Sequence, residues 1–104
     1  MSVLLEFSMF PTDVGESKSK YVGKILDMID KSGVPYKLTP MSTVIETDTI
    51  EQALEIIKKS YEILEPHSNR VYSALKFDIR KNRDNRLKAK IESISKELKR
   101  DLKS

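Results

Sequence analysis

The sequence predicts an α+β fold, a ferredoxin-like βαββαβ sandwich. A four-stranded antiparallel sheet carries two helices on one face, and a further helix follows at the C-terminus. Three observations predict it. Apolar and polar residues alternate at period two in four stretches, and apolar residues recur at helical spacing in three others. The stretches come in the order strand, helix, strand, strand, helix, strand, helix. Two right-handed crossovers in that order give the split βαβ sandwich.

The first strand spans residues 3–10, with Val3, Leu5, Phe7 and Met9 on one face and Leu4, Glu6, Ser8 and Phe10 on the other. Pro11 ends it, and residues 12–16 form a polar connection in which Gly15 can take a positive φ. Val22, Ile25, Leu26 and Ile29 give the first helix its apolar stripe over residues 17–32, and Gly33 is a natural C-terminal cap. Residues 34–39 read as a second strand, whose Pro35 lacks a backbone donor and so favours a sheet edge. After a turn near Pro40 and Met41, residues 42–47 form the third strand. Thr49 with Gln52 makes a capping box. Behind it Ile50, Ala53, Leu54, Ile57, Tyr61 and Leu64 line one helix face, which Pro66 closes. Residues 70–80 alternate again, with Val71, Ser73, Leu75, Phe77 and Ile79 facing one way and Tyr72, Ala74, Lys76, Asp78 and Arg80 the other. Leu87, Ile91, Ile94 and Leu98 then place a narrow amphipathic seam on a helix within residues 83–104.

At 104 residues the chain is expected to form one domain, residues 1–104. Its 38% hydrophobic and 34% charged residues describe a soluble protein. No apolar run approaches the roughly 20 residues needed to cross a bilayer. With no cysteine and no secretory leader pattern, a cytoplasmic location is expected. The net charge of +3 hides an asymmetry, because residues 80–104 hold ten Lys/Arg against four Asp/Glu. A basic last helix is most often a solvated face, so nucleic acid is not the expected partner.

The chemistry on offer favours binding over catalysis. There is no nucleophilic triad, the three glycines form no phosphate loop, and the single His67 lies in a polar loop where it makes a poor metal site. Neither a metal nor a cofactor is expected. The sheet face away from the helices would carry Glu6, Ser8, Glu46, Lys76 and Asp78 beside Leu4, Phe10, Val44 and Tyr72. A half-apolar face of that kind usually meets a second subunit. Glu46 has two readings: a surface pair with Lys76, or an acceptor for a ligand's amino group. Ser17 and Ser19 either cap the first helix or present hydroxyls to a ligand.

Four segments resemble a known family. They are Glu6-Phe7-Ser8-Met9-Phe10-Pro11, Gly15-Glu16-Ser17-Lys18-Ser19-Lys20-Tyr21-Val22, Thr39-Pro40-Met41-Ser42-Thr43-Val44-Ile45-Glu46, and Arg70-Val71-Tyr72-Ser73-Ala74-Leu75-Lys76-Phe77-Asp78-Ile79-Arg80. In order and spacing they resemble the small thiamine-binding proteins of the MTH1187/YkoF-like family, also called UPF0045 or DUF77. That pattern has glycine where Ser42 and Thr47 stand, and again near Asp13. The resemblance implies a homodimer or homotetramer that binds thiamine, or its hydroxymethylpyrimidine part, without turnover. It further implies Glu46 as acceptor for the amino group, Thr43, Ser8, Ser17 and Ser19 as hydroxyl partners, and Met41 as an apolar wall. Lys76, Asp78 and Arg80 would orient Glu46 or tie subunits together. The alternative is a regulatory or assembly module with no small-molecule ligand.

Overall fold

The centre of the fold is strand β1 (Ser2–Pro11), whose odd-numbered residues Val3, Leu5, Phe7 and Met9 are buried. The computed structural model describes residues 1–87. After β1 come a short 3-10 turn (Gly15–Ser17), helix α1 (Lys18–Ser32), strands β2 (Tyr36–Leu38) and β3 (Thr43–Thr47), helix α2 (Ile50–Leu64), and strand β4 (Val71–Arg80). The strands form one antiparallel sheet in the order β2-β3-β1-β4, the expected ferredoxin-like arrangement. The expected last helix falls almost wholly on residues 88–104, outside the described ones.

The local signals account for the element ends. Gly33 stands at φ 80°, in the left-handed region, and its N–H reaches the Asp30 carbonyl to close α1. Thr49 accepts from the Gln52 N–H at 3.2 Å while Gln52 Oε1 accepts from the Thr49 N–H at 3.0 Å, the capping box that starts α2. Strand β2 is shorter than expected and starts at Tyr36. Val34 and Pro35 lie outside it, although the Pro35 carbonyl still accepts from the Glu46 N–H at 3.0 Å.

The core lies between sheet and helices. Val3, Leu5, Phe7, Met9 and Ile45 from the sheet meet Ile25 and Ile29 of α1 and Ala53, Ile56 and Leu64 of α2. The helices pack on β1 and β3. Strand β4 is hydrogen-bonded to β1 with Ile79 opposite Val3, Phe77 opposite Leu5 and Leu75 opposite Phe7, which puts these three on the helix side. They remain 44%, 38% and 37% exposed because neither helix reaches that edge.

One expectation is corrected on the other face, which is not fully open. Residues 84–87 turn back over its Ser2–Glu46–Asp78 end, and Arg86 is buried there. A chain returning over the sheet is possible because an arginine can satisfy several acceptors at once.

Candidate functional site

The expected site residues divide between two places. Ser8, Met41 and Thr43 come together in a cleft of about 490 Å³ where β1, the start of α1 and the β2–β3 turn meet. Phe10, Lys18, Leu26 and Ser42 also line it. The cleft exists because β1 outruns its neighbour. Pairing with β3 stops at Phe7 opposite Thr43, yet β1 continues to Pro11, so among the described residues no strand lies beside Ser8 to Phe10 on that edge. Backbone hydrogen-bonding groups in such a position are available to a ligand.

The turn that closes the cleft is tightly held. The Thr39 hydroxyl accepts from the N–H groups of Met41 (3.2 Å) and Ser42 (3.0 Å) and donates to the Ser42 carbonyl at 2.9 Å. This local side-chain bonding fixes the Pro40–Met41 bend, and Met41 projects at the rim, 85% exposed. Ser42, standing at a position where a glycine was expected, donates to Glu6 Oε2 at 3.2 Å, although Glu6 itself is not among the residues lining the cleft. On the opposite wall the Lys18 ammonium lies 4.1 Å from the centre of the Phe10 ring, a cation–π contact, and Phe10 also leans on Tyr72. Ser17 is the N-cap residue of α1 but makes no side-chain capping bond. Ser17 and Ser19 flank Lys18 in sequence, are exposed, and are not among the residues lining the cleft.

Glu46 stands elsewhere. Its side chain is on the outer sheet face, its residue only 9% exposed, and three donors meet it. They are the Ser2 hydroxyl at 2.5 Å and the backbone N–H groups of Arg86 (3.0 Å) and Leu87 (3.1 Å). The Arg86 guanidinium donates in turn to the Ser2 hydroxyl and carbonyl, both at 2.9 Å, and to the Asp78 carbonyl, and it pairs with the Asp78 carboxylate at 3.0 Å. Burial alone would push the Glu46 carboxyl up. The bonds from Ser2 and from the Leu87 and Arg86 N–H groups, with the Arg86 charge, outweigh it and hold the group below its ordinary value. The carboxylate thus fastens the returning chain to β3.

The expected Glu46–Lys76 pair is absent. Lys76 instead reaches Glu6 at 4.0 Å, both well exposed, a contact worth little. Asp78 is linked to Glu46 through Arg86, whose guanidinium pairs with the Asp78 carboxylate and whose backbone N–H donates to Glu46. Arg86 is the residue that sequence reasoning missed. A cation in the first turn of the expected last helix works against the helix dipole, and that mismatch was the available signal for a carboxylate partner.

Glu46 also borders a second, more polar cavity of about 620 Å³, which Asp48, Glu55, Lys59 and Asp84 share. Among the described residues no buried side-chain nitrogen or oxygen is left without a partner. No group of three or more His, Cys, Asp or Glu that could hold a metal ion occurs among them either.

The sheet order and the cleft beside β1 define a ferredoxin-like α+β protein with a small cleft at the end of its sheet. The chain belongs to the thiamine-binding protein family, whose model matches residues 5–95. It is 32% identical over 83 residues to a UPF0045 protein of Methanothermobacter thermautotrophicus, covering 79% of this chain and 84% of that protein. It is 33% identical to the UPF0045 protein MJ1052 of Methanocaldococcus jannaschii, covering 88% and 91%. The crystal structure of MJ1052 superposes with a TM-score of 0.78 at 31% identity, over 90% of this chain and 96% of that one. A Thermotoga maritima structure, TM0486, provisionally described as a thiamine biosynthesis or salvage protein, shares the fold with a TM-score of 0.77 at 17% identity. That match covers 90% of this chain and 99% of the other.

Proposed function

We propose that the protein binds thiamine, or its hydroxymethylpyrimidine part, in the cleft between β1, α1 and the β2–β3 turn, and releases it unchanged. The observation that carries this reading is the convergence of Ser8, Thr43 and Met41 on one cleft in a member of a thiamine-binding family. The description of TM0486 points the same way. An aminopyrimidine needs a flat apolar slot with a few hydrogen-bonding groups. Phe10, Leu26 and Met41 supply the slot, and Thr43, Ser8 and the open edge of β1 supply donors and acceptors. Hydroxyls, an ammonium and apolar side chains suit retention more than bond-breaking, so we class the protein as a non-catalytic carrier, sequestering agent or sensor. Its setting would be cytoplasmic, and its working form a homo-oligomer. Among the described residues no helix is long and apolar enough to cross a membrane.

A second reading keeps Glu46 as the ligand's acceptor. The carboxylates of Glu46, Asp48, Glu55 and Asp84 around the second cavity would suit the cationic thiazolium ring. It requires Glu46 to exchange some of its present donors for the ligand.

Isothermal titration with thiamine and with hydroxymethylpyrimidine separates the two. In the favoured reading Thr43→Val weakens binding about tenfold, the equivalent of about 1.4 kcal/mol, and Glu46→Gln changes it by less than about threefold. The opposite ranking supports the second reading. No heat from either compound would reject both and leave a regulatory or assembly module.

A further inference from the structure

The charge of the cleft beside β1 narrows what it can hold, on the reading that this cleft is the binding site. Among the described residues that line it, Lys18 alone is charged; the others are apolar or carry a hydroxyl. Its ammonium rests 4.1 Å from the centre of the Phe10 ring, and a neutral ring leaves that charge uncancelled. Among the described residues no carboxylate forms a salt bridge with it. Glu6, which accepts from Ser42 at the turn, does not line the cleft and faces Lys76 instead. Helix energetics do not explain a lysine here either. Lys18 is the first residue of α1, where the helix dipole disfavours a cation.

A cleft with one uncompensated positive charge suits an anion and disfavours a second cation. The thiazolium ring of thiamine is itself cationic, and unphosphorylated hydroxymethylpyrimidine has no fixed charge, so neither gains from Lys18. A phosphate ester brings a charge of about −1.5 to −2 at pH 7 and three strong acceptor oxygens.

We propose that the cleft selects a phosphorylated aminopyrimidine, and that Lys18 is the residue that recognises the phosphate. The ring lies against Phe10 and Met41 beside Thr43, and the ester oxygens take a charge-assisted contact from the ammonium. The position of the ammonium sets the length of the arm. Because it stands at the Phe10 ring, a phosphate one methylene away from the pyrimidine meets it directly. The phosphate of thiamine monophosphate lies beyond the thiazolium ring and must carry that cation past the same lysine. The phosphate ester of hydroxymethylpyrimidine is the better match.

Isothermal titration with hydroxymethylpyrimidine, its phosphate, thiamine and thiamine monophosphate tests this. The wild type is expected to prefer hydroxymethylpyrimidine phosphate to its parent alcohol by about tenfold at low salt. That preference should shrink as ionic strength rises. Lys18→Gln should abolish it, weakening the phosphate ester about tenfold and the alcohol less than about twofold. Lys18→Arg should retain most of it. Lys20→Ala, on an exposed neighbour that does not line the cleft, should leave it unchanged. Lys18 is itself exposed, so these variants should keep the wild-type circular dichroism spectrum. Thr43→Val, by contrast, should weaken the ester and the alcohol by the same factor. A phosphate preference that survives Lys18→Gln, or no preference in the wild type, would overturn the proposal. If Thr43→Val still weakened binding, the cleft itself would stand. Tighter binding of thiamine monophosphate than of hydroxymethylpyrimidine phosphate would overturn the choice of ester. No heat from any of the four compounds would overturn both the proposal and the cleft reading.

Discussion

Glu46→Ala is expected to lower the free energy of unfolding by about 3 kcal/mol near neutral pH, the scale for breaking a buried charged network by removing one member. The Ser2 hydroxyl, two backbone N–H groups and a buried guanidinium would lose the anion that organises them. The effect has a pH signature. The folded-state pKa of Glu46 lies below the unfolded value, so its contribution is fully present above the ordinary carboxylate range. It is lost as pH falls through the lower folded value. Denaturant titrations of wild type and variant should therefore converge in acid. A difference under about 0.5 kcal/mol at neutral pH would show that the network does not fasten residues 84–87.

Leu5→Ala is expected to cost about 4 kcal/mol by loss of transfer energy plus a cavity. Leu5 is fully buried at the centre of the sheet, opposite Ile45 on one side and Phe77 on the other. Strands on both sides and a helix layer above leave little room for collapse, so the upper part of the usual range applies. Urea unfolding monitored by circular dichroism measures it. A cost below about 1 kcal/mol would mean that the core closes around the gap.

Much of this was legible in the sequence, for identifiable reasons. Period-two runs such as Val3–Leu5–Phe7–Met9 announce a buried face wherever the strand is placed. Caps such as Gly33 and the Thr49–Gln52 pair act locally, so they read correctly without the fold. Register is different, because it depends on where two distant segments stop pairing. That β3 begins opposite Phe7 while β1 runs on to Pro11 has no local signature, yet it makes the cleft. The Glu46–Arg86 connection spans 40 positions and was equally hidden. Phasing put Glu46 on the outer face with Asp78, as the register has it. Phasing did not show that the chain's own arginine and backbone fill the space beside it. The same limit applies at β4, where alternation groups Leu75, Phe77 and Ile79 on one face but does not say how far a helix layer reaches.

The most direct measurement for the proposed function is a crystal structure of the protein grown with saturating thiamine. The cleft reading predicts a flat six-membered ring between Phe10 and Met41, in hydrogen-bond contact with Thr43, and Glu46 still bound to Ser2, Arg86 and Leu87. A ring seated against Glu46 with the Arg86 and Leu87 N–H groups released, or no ring at either place, would contradict it.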